Sequence, residues 1–266
     1  AGTVSIIVWQ IRIPRILMAI FAGFGLAAAG AGMQAILKNP LASPFTLGVS
    51  AGAGLGAGFA IVMGFSLFAG QYFLIGNAFL FSLIPAFIIF GISRFRRATT
   101  GTMILAGIAM SYIFAAITHL LTYFSKIEEL KVLSVWLMGD LGRASWVDLK
   151  FVGIILFISM FLLMYKSQAM NIMNAGDITA KGLGVNVDYT RIFVMIIASL
   201  ITATIVCFTG LIGFVGLVAP HIARMIIGAD NRFLIPISGL IGAIFLLSAD
   251  IIAVKLIAPV VLPVGI

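Results

Sequence analysis

NPLASPFTLGVSAGAGLGAGFAIVMGFSLFAGQYFLIGNAFLFSLIPAFIIFGIS, from Asn39 to Ser93, runs for 55 residues without a charged side chain. A helix crosses a bilayer in about 20 apolar residues, so this stretch holds two crossings. Gly64, Gly70, Gln71 and Asn77 mark the break between them. Barrel strands would alternate polar and apolar residues, and these runs are continuous. In lipid every backbone N–H and C=O must find its partner inside the protein. The stretch is therefore helical, and the fold is an all-α, polytopic transmembrane helix bundle.

The same pattern extends to both sides. Ile16–Leu37, Ala98–Ser125, Phe151–Tyr165 (beginning near Trp146), Ile192–Ile212 and Phe233–Ala253 each read as a crossing. Gly213–Gly228 reads as a short, interrupted helix, which brings the number of membrane segments to eight. Composition agrees: 62% of the chain is hydrophobic and 9% charged, with a mean hydropathy of +1.24, where a soluble domain carries roughly 25% charged residues. The net charge of +8 is no sign of nucleic-acid binding, because the 16 Lys and Arg are scattered at the ends of apolar runs. Such residues anchor helix ends at headgroups. Placing Lys38 and the Arg94/Arg96/Arg97 cluster on the cytoplasmic side gathers nine basic residues there against seven opposite. The lone Cys207 excludes an internal disulfide and a multi-cysteine metal site; it sits in an apolar run as a packing residue. Gly52, Gly54, Gly56 and Gly58 lack the preceding strand that a dinucleotide loop requires. Gly23, Gly25, Gly30 and Gly32, with Ala27–Ala29, form a small-residue face on which helices approach closely.

Four stretches carry polar groups where a membrane chain leaves the lipid or works. Arg12 and Arg15 sit three apart at a helix start, with Pro14 in its first turn; they anchor at headgroups or face a partner. In the helix Gly101–Phe124, the residues Gly107, Ser111, Ala115, Thr118 and Thr122 share one face. That stripe lines a water-filled path or makes a close helix contact, and His119 reads as packing or a local hydrogen bond. Met170–Val187, MNIMNAGDITAKGLGVNV, reads as two short helices joined by glycines on the membrane surface, with Asp177 as an N-cap. It rests on lipid or meets a partner. Last, GFVGLVAPHIARMIIGADNR (Gly213–Arg232) places Pro220, His221 and Arg224 near the membrane surface, His221 and Arg224 on one helical face. No Ser or Cys nucleophile stands beside His221, so the cluster shapes structure and does no chemistry.

These stretches together resemble the FecCD-type permeases, the membrane subunits of type II ABC importers for iron–siderophores, haem and cobalamin. The match rests on R-x-P-R at Arg12–Arg15, Q-x-x-x-x-N-P-L-A-x-P from Gln34, the G-D-I-T element at Gly176–Thr179, the Gly213–Arg232 signature and LLSADIIAVK near the end. It runs over nearly the whole chain, residues 1–266, as one permease domain. The resemblance implies about ten membrane helices in the family, one before this stretch and one after it. It implies that Arg12, Arg15 and Lys255 dock an extracytoplasmic substrate-binding protein; the family often has its basic residue at the position of Val254, one earlier. It implies that the Gly107–Thr122 stripe borders a path at the axis of a homodimer. Within an element at 168–188, it implies that Gly176, Asp177, Ile178, Lys181, Leu183 and Gly184 couple to an ATPase subunit present in two copies. It implies that Pro220, His221 and Arg224 lie at a cytoplasmic gate. The expected place is the cell membrane of a bacterium or archaeon, with lipid around the chain and no cofactor. No G-x-x-x-x-G-K-[ST] sequence occurs, so ATP hydrolysis is expected on the separate subunit. Two rivals stay in view. An ion-coupled transporter needs an ionisable residue at mid-membrane, for which Asp250 is the candidate. A membrane-embedded enzyme needs clustered ligands, and the two histidines lie far apart in sequence. Molybdate or tungstate remains an alternative cargo of the same importer type.

Overall fold

A computed structural model describes residues 2–96, 99–256 and 262–265, apart from the side chains of Thr3, Gln71 and residues 94–96. The Arg94/Arg96/Arg97 side chains therefore lie outside the described residues. Twelve α-helices follow in order: α1 (Gly2–Ile6), α2 (Ile13–Leu37), α3 (Val49–Met63), α4 (Phe73–Arg96), α5 (Thr100–Phe124), α6 (Ile127–Leu137), α7 (Trp146–Tyr165), α8 (Ser167–Asn174), α9 (Asp177–Gly182), α10 (Val187–Thr209), α11 (Val215–Ile227) and α12 (Asn231–Leu256). Six stretches are long and apolar enough to cross a membrane, and α3 and α11 are shorter apolar helices. The eight segments read from sequence are all present.

α2 is the central post. α12, α10, α11 and α7 pack around it, while α3 packs against α4, α5 and α6, and α10 touches both groups. Within lipid, helices hold together by close packing more than by expelling water, and the glycines supply that closeness. A methyl group on Gly23 would overlap the Gly242 backbone of α12, and one on Gly30 would overlap Gly216 of α11. Gly52 and Gly56 meet α4 at Phe81 and Asn77 in the same way.

Several local readings need correction. The chain is helical well before Pro14. Residues Ile7–Arg12 form a π-helical turn in which the Ile13 N–H reaches the Val8 carbonyl. That wider turn accommodates the N–H and the space that Pro14 removes from the helix. Asn77 does not lie in the α3–α4 break. It is fully buried in α4, donates to the Phe65 carbonyl at 2.7 Å and accepts from the Leu67 N–H at 3.1 Å. Gly64 (φ +62°) ends α3 and Gly70 (φ +68°) starts the turn before α4. α6 falls in an interval that reads as merely polar; it buries Leu133 and Trp136.

Two helix breaks decide the interior. After α2, residues 39–48 turn back between α2, α5 and α10. Leu47 lies against Gly107, the eighth residue of α5, so it sits about 10 Å in from the start of that helix. Such a segment must satisfy its own backbone. Thr46 Oγ1 donates to the Ser43 carbonyl at 2.7 Å and accepts from the Ser43 N–H, and Leu47, Gly48 and Val49 donate back to Pro44 and Phe45. After α10, the Gly210–Phe214 segment returns toward the middle before α11 begins.

Candidate functional site

The surface pair α8–α9 is the most distinctive polar feature. Gly176, at φ +117°, makes the corner between the two helices, and Gly184, at φ +83°, turns the chain into α10. Both conformations favour glycine. Gly182 has an ordinary backbone and no such role. α8 seats itself through Met170 and Met173, both fully buried. α9 buries Ala180 and leaves Ile178 90% and Leu183 67% exposed.

Asp177 is not an N-cap. Gly176 holds that position, and the Asp177 carboxylate reaches across to two other helices. Lys38 Nζ, at the end of α2, donates to Oδ1 at 2.7 Å, and Arg191 Nη2, on α10, donates to Oδ2 at 2.8 Å. Arg191 is itself buried and donates through Nε to the Ile36 carbonyl at 3.2 Å. Lys38 first, then Arg191, holds the Asp177 carboxyl below its ordinary pKa. Lys181 pairs with Asp188 on the surface at 3.4 Å. α8 is tied to α12 by a second set. Asn171 donates to Asp230 Oδ1 at 2.6 Å and accepts from the Asn231 N–H and side-chain amide at 2.8 and 2.9 Å. Arg232 and Asn171 hold the Asp230 carboxyl far below the usual range. The small surface unit is thus fastened to α2, α10 and α12 while its apolar tip points outward. Sequence reading singled out this element but missed Lys38, Arg191 and Asn171 as its fastenings: Lys38 lies 139 positions from Asp177 and Asn171 lies 59 from Asp230, and nothing in the pattern around Arg191 shows that it turns back to Asp177.

Behind this unit, Pro220 sits inside α11 and cannot donate to the Gly216 carbonyl one turn earlier. Gln34 of α2 fills the gap. Its amide faces the carbonyls of Gly216 and Leu217, each at 3.5 Å, and its Oε1 accepts from Arg224 at 3.0 Å. Pro220 and Arg224 are therefore linked through Gln34, whereas His221 stands exposed outside the cluster.

The Gly107–Thr122 stripe faces inward. Gly107 packs on Leu47, Thr118 is 8% exposed, and Ser111, Thr118 and Thr122 donate to the carbonyls of Gly107, Phe114 and His119 in their own helix. Within the single chain Gly107 and Thr118 are buried, while Ser111, Ala115 and Thr122 are half-buried. The open face of α5 carries Leu105, Ala109, Tyr112, Ala116, His119 and Tyr123 instead. His119 is exposed there and packs against nothing among the described residues of its own chain. Cys207 is buried, with its thiol on the Thr204 carbonyl.

At the opposite end, Arg15 does not stand beside Arg12 as a second exposed cation. Its guanidinium clasps Asp250 of α12 through both carboxylate oxygens, at 2.7 to 3.1 Å, with side-chain exposures of 15% and 5%. Asp250, the candidate for ion coupling, is thereby paired. Arg12 and Lys255 remain exposed. Among the described residues, no group of three His, Cys, Asp or Glu side chains could hold a metal ion.

Known proteins share this architecture. An ABC transporter permease protein of Methanocaldococcus jannaschii is 48% identical over 99% of this chain and 78% of its own length. The hemin transport system permease protein HmuU of Yersinia pestis is 40% identical over 97% of this chain and 78% of its own. A solved metal-chelate type ABC transporter in an inward-facing conformation superposes with a TM-score of 0.92 at 33% identity, over 100% of this chain and 84% of that one. With the FecCD transport family matching residues 2–266, this multi-pass cell-membrane protein belongs to the FecCD family of transport permeases.

Proposed function

We propose that the chain is the permease subunit of an ATP-driven importer that carries a metal chelate into the cytoplasm by alternating access. The hemin permease and the metal-chelate transporter among its relatives support an iron chelate or tetrapyrrole as cargo. The observation that carries the reading is α9: Ile178 and Leu183 are exposed on a helix fastened by ion pairs to α2 and α10. An apolar tip on a rigid base is what a partner groove can push. ATP binding and hydrolysis on a separate subunit, in two copies, would move this unit and shift the gates behind it.

The chain pairs with a second copy through the open face of α5. Leu105, Ala109, Tyr112, Ala116, His119 and Tyr123 recur at alternating steps of four and three, the spacing of a helix–helix seam. Arg12 and Lys255 meet an extracytoplasmic binding protein, while Arg15 braces α2 against α12. The test is reconstitution with the ATPase and binding protein in lipid vesicles. ATP-driven uptake of a ferric chelate or haem is expected, unaffected by collapse of the proton gradient. Uptake that vanishes with the gradient while ATP persists would replace this reading with an ion-coupled transporter.

A further inference from the structure

Phe214 joins a strained backbone to an exposed ring at mid-membrane. Its φ and ψ are +63° and −35°, and the Val215 N–H closes back on the Gly213 carbonyl at 2.7 Å. This is a three-residue γ-turn of the positive-φ kind, rare and strained for a side chain larger than hydrogen. The ring is 77% exposed, although Ile212 and Val215 on either side are 2% exposed.

Its depth follows from its neighbours. α10 ends at Thr209, where the Asp140 N–H meets the Thr209 carbonyl. Gly216, two residues past Phe214, lies against Leu26 and Gly30, near the middle of α2, and α11 then runs 13 residues, or about 20 Å, toward one side. Beside the turn lies a cavity of about 60 Å³ lined by Ser43–Thr46 of the first break, Ile212 and Phe214 of the second, Gly216 of α11 and Thr202 of α10. The two breaks therefore meet. Thr202 is fully buried and its hydroxyl has no protein partner, unlike Thr204 and Thr209, which donate to carbonyls in their own helix.

Irregular backbone at membrane depth is tolerated where protein buries it or water lines it, and not against lipid. A strained turn that projects an aromatic ring has no purpose in acyl chains, which any helical Phe could face. We propose that Phe214 lines the translocation path and forms a constriction where the two breaks meet, with its copy across the dimer axis. Its chemistry suits the apolar, planar parts of a passing chelate. The γ-turn fixes the ring without a helix behind it, so a shift of α11 moves the ring directly. Pro220 and Arg224, joined through Gln34 of α2, are on the same helix.

The proposal rests on the permease reading, and the experiment separates the two. The full transporter, with ATPase and binding protein, is reconstituted in a Cys207→Ser background. Phe214→Cys is compared with Phe157→Cys, a residue 78% exposed on α7. A cationic, membrane-impermeant thiol reagent is expected to modify position 214 at least roughly tenfold faster than position 157, at a rate that changes between nucleotide-free and ATP-trapped states. Equal, minimal reaction at both positions while ATP-driven uptake persists would overturn the path assignment and leave the permease reading intact. Absence of ATP-driven uptake by the unsubstituted transporter would strike the permease reading instead. Phe214→Gly, which suits the positive φ, provides a second measurement. It is expected to raise ATP-independent leak of a hydrophilic dye, and an unchanged leak would show that the ring does not constrict.

Discussion

Asp177→Asn keeps the shape of the side chain and removes the charge that holds α9. The structure sets the size of the effect. Lys38 and Asp177 have side-chain exposures of 35% and 41%, which puts their pair at about 0–1 kcal/mol. The Arg191 side chain is 6% exposed, and a hydrogen bond between charged groups there is worth about 1.5–3 kcal/mol. Arg191 keeps the Ile36 carbonyl and has Asp188 at 3.9 Å to fall back on. The net loss is about 2 kcal/mol, roughly thirtyfold in an opening equilibrium. It falls on α9, because the apolar side chains Ile178 and Leu183 anchor nothing within the chain. Hydrogen exchange in lipid nanodiscs is expected to show the Ala180–Leu183 amides exchanging roughly thirtyfold faster, with α2 and α10 unchanged. Transport per ATP hydrolysed is expected to fall while the ATPase still co-purifies. Unchanged exchange in α9 would refute the fastening. The pH dependence has a defined sign. A carboxyl held below its ordinary 3.8 contributes fully above that value and loses its contribution as pH falls through the lowered one. Wild-type exchange in α9 is therefore expected to be independent of this group from about pH 5 to 8. The Asn variant at neutral pH should resemble wild type in strong acid.

Leu183→Asp puts a charge on the exposed tip; insertion and dimerisation are expected to persist while substrate no longer stimulates ATP hydrolysis, and retained stimulation with full transport would leave α9 as a surface helix on lipid. Gln34→Leu strips Arg224 of its acceptor and leaves the Gly216 carbonyl released by Pro220 unpaired, a loss of about 1–3 kcal/mol in thermal unfolding; equal stability would mean that Gln34 does not replace the missing bond. Asp250→Ala leaves the Arg15 guanidinium uncompensated, a cost of about 3–5 kcal/mol, and the exchange Arg15→Asp with Asp250→Arg is expected to recover a measurable part of it; no recovery would argue against a specific pair. Arg12→Glu alone is expected to slow capture of the loaded binding protein, most clearly at low salt, and an unchanged salt dependence would leave Arg12 as a headgroup anchor.

The helices were legible because lipid permits so few alternatives. A 55-residue run without charge has to be two crossings, and the glycines that let helices touch announce themselves by density. The fastenings were not legible in the same way. Lys38 and Asp177 lie 139 positions apart and Arg15 and Asp250 lie 235 apart, and neither composition nor periodicity carries a pairing over such distances. Helical spacing placed Arg12 with Arg15, and Gly107 with Thr118, on shared faces. It could not say which face looked inward, and the structure turned the Gly107 stripe toward the 43–48 segment. The two breaks show where pattern and function separate. From sequence, Asn39–Gly48 only opens a charge-free run and Gly213–Gly228 is an interrupted helix. Folded, they meet, and the irregularity becomes the point. A continuous helix satisfies its own backbone and can only pack. The breaks bring turns and a strained Phe214 beside the unpaired hydroxyl of Thr202 on α10. Such an arrangement costs local stability, and the close α11–α2 contact at Gly30 and Gly216 is the place where a shift of α11 would be felt.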